Sequence, residues 1–127
     1  MKRDIELERK ILLKIEENFR AGDIWMSGPR FEEYPAPIVG EHCYLLVQQG
    51  LIGDYKALSR LQDAFQFRVR NLTALGYDYL EMIKDEKGWK RLKKQADEKQ
   101  IPKTIENLMI LGSKMVAAFA KELFDVQ

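Results

Sequence analysis

Cysteine is almost missing from this chain of 127 residues: there is one, Cys43. An intrachain disulfide is excluded, and a reducing compartment, the cytoplasm, is the expected setting. Histidine is also single, His42. One imidazole and one thiol leave a zinc site short of ligands, and no metal-ligand spacing links them to carboxylates. The eight glycines are scattered, and none forms a phosphate-cradling loop after a strand. Neither a metal nor a cofactor is expected. No apolar run approaches the roughly 18–20 residues of a membrane span. The opening MKRDIELERK is charged with no apolar stretch behind it, so a signal peptide is not expected. Net charge is only +1, which removes the simplest argument for a nucleic-acid partner.

What is present is a folding composition, 46% hydrophobic and 32% charged, in a chain long enough for its own core. Ile11, Leu12, Ile15 and Phe19 form one apolar stripe, which predicts a helix from about Asp4 to Arg20, with Asp4 as N-cap and Gly22 as the stop. Gly28, Pro29, Pro35 and Pro37 break the next stretch, where Ile24, Trp25, Met26 and Phe31 suit a short edge strand with Trp25 as a core plug. Val39, Cys43, Leu46 and Val47 share a face of a helix from about Ile38 to Gln49, ended by Gly50. Phe65, Phe67 and Val69 alternate with Gln66, Arg68 and Arg70, a half-buried strand with a basic outer face. A strand starting at Leu51–Ile52 is its expected hairpin partner, across a polar, loop-like stretch from Gly53 to Asp63. Thr73 then caps a helix to about Lys84. Residues 84–103 hold eight cations against four acids, +4, with Trp89 and Leu92 as anchors; a solvated helical face is the expectation. The last helix, from Pro102 to about Phe124, is apolar around much of its circumference, and a helix so apolar is expected to be buried.

Two helices and a hairpin in this order make an α+β, winged-helix-like arrangement over residues 1–84, followed by a C-terminal helical extension, 85–127. The extension is expected to pack on that domain or on a second subunit. The stretch HCYLLVQQGLI resembles the third helix and first wing strand of winged-helix repressors, through His42, Cys43, Leu46, Gly50, Leu51 and Ile52. More of the chain resembles an uncharacterised bacterial and prophage family, a domain of unknown function. Its pattern falls on Met1 to Asp4; on His42, Leu45, Leu46, Gly50, Leu51 and Ile52; on Leu72, Thr73, Gly76, Tyr79 and Leu80; and on Trp89 and Lys90. The resemblance implies a winged-helix-like fold and a bacterial or phage source, with no established activity. The chain departs from DNA-reading winged helices where their second helix would lie: GPRFEEYPAPI holds three prolines, so that helix is expected to shrink to a turn.

His42 beside Cys43 invites a nucleophilic reading. Neighbours on a helix diverge by about 100°, however, so a core cysteine and a structural histidine are the simpler expectation. No acid–base pair stands out among the carboxylates, and a non-enzymatic regulatory protein is expected. If the helix over 38–49 enters a major groove, Glu41, Tyr44 and Gln48 face the bases, while Lys56, Arg60, Arg68 and Arg70 of the wing contact phosphate. The partner is then double-stranded DNA. Against this, outward lysines and arginines also guard sheet edges, and segment 21–50 holds Arg30 against Asp23, Glu32, Glu33 and Glu41, −3. The rival expectation is a protein-interaction or dimerisation module that has lost DNA binding, with a homodimer formed through the apolar last helix.

Overall fold

The structure is a computed structural model that describes residues 1–61 and 64–125. The far end of the polar stretch, Asp63, and the last two residues of the extension lie outside the described residues. The chain separates into two compact units, Met1–Leu80 and Glu81–Gln127.

The first unit begins with α1 (Ile5–Asn18), whose start follows from Asp4: its Oδ1 accepts the Glu6 and Leu7 amides at 2.9 and 3.2 Å. Leu7, Ile11, Leu12 and Ile15 are fully buried. After Gly22 (φ +94°), strand β1 (Met26–Ser27) forms one edge of a three-stranded antiparallel sheet. Trp25 beside it is half-buried rather than a core plug. The proline-rich stretch is a turn closed by a Phe31–Tyr34 bridge. Helix α2 (Ala36–Gln48) follows, with Pro37 in its first turn, where a missing N–H costs nothing. It ends at Gly50 (φ +79°): the Gly50 amide donates to Val47 and the Leu51 amide to Leu46, which satisfies two terminal carbonyls.

The hairpin differs from expectation. Ile52 makes only an isolated bridge to Leu72, and the strand is β2 (Tyr55–Ser59), inside the stretch that reads as a loop. It pairs with β3 (Gln66–Val69), Tyr55 opposite Val69 and Lys56 opposite Arg68, in the order β1–β3–β2. The inward members of β2 are Tyr55, Ala57 and Ser59, too small or too polar to show as an apolar alternation. Phe67 and Val69 are buried as expected.

Helix α3 (Ala74–Ile83) starts at Thr73, whose Oγ1 accepts the Gly76 amide at 3.0 Å, and crosses the division between the units. In the second unit α4 (Glu86–Glu98) is capped by Asp85 and buries Trp89, Leu92 and Ala96. Gln100 (φ 57°) closes it. Helix α5 (Ile105–Asp125) begins three residues after Pro102, with Thr104 Oγ1 accepting the Asn107 amide. Ile105, Leu108 and Leu111 are buried, but Val116, Phe119, Leu123 and Phe124 are exposed. The expectation of a buried last helix therefore holds for its first half only. With 13 residues against 21, α4 is too short to cover α5. No helix among the described residues is long and apolar enough to cross a membrane.

Candidate nucleic-acid interface

The seven residues singled out in the sequence fall into two groups. Glu41, Tyr44 and Gln48 are all exposed on α2, and Gln48 Nε2 donates to the Tyr44 hydroxyl at 3.3 Å. Glu41, Tyr44 and Arg60 line one recess with Tyr55 and Ala57. The Tyr44 and Tyr55 rings meet edge-on at 5.9 Å, and Tyr55 stacks on Phe67 at 5.6 Å. Burial raises the Tyr55 hydroxyl pKa against the pull of Arg60, so the recess holds a neutral phenol.

Because Tyr55 faces α2, strand alternation sends Lys56 to the opposite side of the sheet. Its cross-strand partner Arg68 lies on that same outer face, and both are exposed. Arg70 continues the row, with its guanidinium 5.8 Å from the Trp25 ring centroid. Helix α2 and the basic row therefore do not form one surface. Arg30 was missed by sequence reasoning. It leaves the turn after β1, donates to the Phe65 carbonyl at 2.8 Å, and joins Arg68, Ser27 and Gln66 around a second recess. Nothing in the sequence pairs residue 30 with residue 65; only the β1–β3 contact does. The three strands hold no acidic residue, whereas the exposed face of α2 carries a single charge, Glu41.

His42 and Cys43 are held apart. His42 is buried; its Nε2 accepts the Asp4 amide at 2.9 Å, and Nδ1, which must then carry the hydrogen, donates to the Ile38 carbonyl at 2.8 Å. Tyr34 donates to Asp4 Oδ2 at 3.0 Å, and Arg3 bonds both Glu8 and Gln49. Arg3, Asp4 and His42 thus tie the start of α1 to α2. Burial pushes the Cys43 thiol far up, away from nucleophilic thiolate.

A family profile described as "Hypothetical protein (DUF2513)" matches residues 2–102, so the chain belongs to that family. An uncharacterised protein of Haemophilus influenzae is 28% identical over 120 residues, covering 92% of this chain and 97% of its own length. No solved structure gives a significant match.

Proposed function

We propose that the protein is a small non-enzymatic regulatory protein, of bacterial or prophage origin, that works in the cytoplasm and binds double-stranded DNA through a winged-helix-like first unit. The order α1, β1, α2, β2, β3 with sheet order β1–β3–β2 supports the winged-helix comparison. One observation carries the DNA reading: Lys56, Arg68 and Arg70 lie in a row on the outer sheet face, with no acid in the three strands to neutralise them. In this reading the sheet face holds phosphates. Helix α2, with Glu41 as its one exposed charge, stays out of the groove.

Fluorescence anisotropy with a random duplex tests this. Three phosphate contacts predict affinity falling about 40-fold between roughly 50 and 200 mM salt. Replacing Lys56, Arg68 and Arg70 by alanine abolishes binding, while Tyr44→Ala with Gln48→Ala leaves it. No binding at tens of micromolar in low salt, or loss through the α2 pair alone, sinks the proposal. A second reading, a protein-docking module, is favoured by the recess of Glu41, Tyr44, Tyr55 and Arg60, whose two phenol rings suit a protein side chain better than a phosphate.

A further inference from the structure

We infer that the recess beside Arg30 and Arg68 is a site for a phosphate monoester, the terminal phosphate of a nucleic-acid strand lying on the sheet. The inference rests on the reading of the outer sheet face as a nucleic-acid surface, and it adds the group held where that face ends. Strand geometry comes first. Met26 lies opposite Val69 and Ser27 opposite Arg68. Val69 is buried, so alternation puts Ser27, Gln66, Arg68 and Arg70 on the outer face together with Lys56. Arg70 and Arg68 stand two residues apart on the same face, about 7 Å along β3. At the other end of β3 the chain leaving β1 stays against it. The Gly28 amide donates to the Phe67 carbonyl at 2.8 Å, and Arg30 donates to the Phe65 carbonyl at 2.8 Å. The row of cations ends there, in a recess rather than on open sheet.

The chemistry of the recess is that of an anion site. Arg30, Arg68, Ser27 and Gln66 line it, four side chains that can donate hydrogen bonds, and no acid does. Neither arginine is in an ion pair among the described residues. Arg30 is also fixed in place. Its bond to the Phe65 carbonyl occupies one arm of the guanidinium and leaves other N–H groups of the fork for an acceptor. The turn that carries it is packed on β3: a Cβ at Gly28 would stand 2.2 Å from the Phe67 ring. A donor held in position before binding loses less side-chain freedom when the anion arrives.

Two guanidinium groups at one recess select the kind of phosphate. An internal phosphodiester carries one charge and is matched by a single cation, such as Lys56 or Arg70 on the open face. A terminal monoester carries about −1.5 to −2 charges and three acceptor oxygens, enough to engage both forks at once. The recess has a volume of about 210 Å³, which leaves room for a phosphate group and several waters at about 30 Å³ each.

Fluorescence anisotropy of the full chain tests this with three short duplexes, labelled at an internal base so that the ends stay free. They carry 5′-hydroxyl, 5′-phosphate or 3′-phosphate ends. At about 50 mM salt a phosphorylated end should tighten binding about fivefold or more over the hydroxyl form. Whichever end gains, 5′ or 3′, is the one the recess holds. Arg30→Gln should erase that preference. Leu58→Glu, which adds a carboxylate to the lining without touching the Arg30–Phe65 bond, should erase it too. Equal affinity for the three duplexes overturns the inference and leaves duplex binding by the sheet face standing. A preference that survives either substitution in a protein with an unchanged thermal melt also overturns it. No binding to any of the three sinks the nucleic-acid reading, and this inference with it.

Discussion

At the residue scale the sharpest feature is Glu8, buried on α1 with Oε1 bound to Arg3 at 2.9 Å and Oε2 without a partner. Burial raises its carboxyl pKa above the ordinary 4.5, and Arg3 pulls it only part of the way back. As pH rises, the unfolded chain ionises first. The stability Glu8 contributes is thus complete below about pH 4.5 and is lost as pH climbs through the folded value. Glu8→Gln should remove that decline, so urea melts between about pH 4.5 and 7 should be flatter than wild type. A variant less stable than wild type at neutral pH would show that the ion pair with Arg3 outweighs desolvation. Gly76 offers a second test. Alanine in a helix ordinarily gains about 1 kcal/mol over glycine, but a Cβ here would stand 2.1 Å from the Leu51 carbonyl oxygen. Backbone cannot yield as a side chain does, so Gly76→Ala should destabilise by about 2–3 kcal/mol in denaturant melts. His42→Ala, which strips partners from the Asp4 amide and the Ile38 carbonyl, should cost about 2–3 kcal/mol.

At the element scale, one helix carries two kinds of residue. Leu108 and Leu123 are both leucines on the apolar stripe of α5, yet the first is fully buried and the second exposed. Leu108→Ala should cost about 2–5 kcal/mol, as for a cavity in a packed core. Leu123→Ala should change stability by less than about 0.5 kcal/mol. Thermal melts of the two variants at equal low concentration check the contrast. In the sheet, strand alternation is the corresponding rule. It puts Tyr55 against Tyr44 and Phe67, and by the same geometry sets Lys56 and Arg68 on the outside.

At the scale of the whole molecule, a net charge of +1 hides an uneven distribution. Residues 21–50 hold a single cation, Arg30, against four acids, and cations gather in the outer sheet face and in 84–103. The proposed DNA binding depends on local arrangement rather than overall charge. Replacing Lys87, Lys90 and Lys94 by glutamine should therefore leave duplex binding unchanged, although it removes as much charge as replacing Lys56, Arg68 and Arg70. Anisotropy on the two triple variants measures it, and equal loss in both would mean that total charge alone drives binding.

Local signals determined much of this molecule from the sequence alone. Asp4, Gly50 and Thr73 bound helices because capping is a matter of nearest neighbours, and the Phe67–Val69 alternation marked β3 because one face of it is buried. The mixed α+β class followed from that order, and the family resemblance rested on the same residues. Their roles did not follow. Arg3, Asp4 and His42 look like a motif and act as a tie between two helices, which the sequence separation of 38 between Asp4 and His42 conceals. Strand β2 escaped because its inward residues are small or polar and owe their place to pairing with β3. The separation of Glu41, Tyr44 and Gln48 from Lys56, Arg68 and Arg70 was decided by tertiary structure, since which face of a strand is inside depends on what packs against it. The exposed half of α5 was decided in the same way: an apolar stripe declares that it must be covered, but only the length of its neighbour says how much of it is.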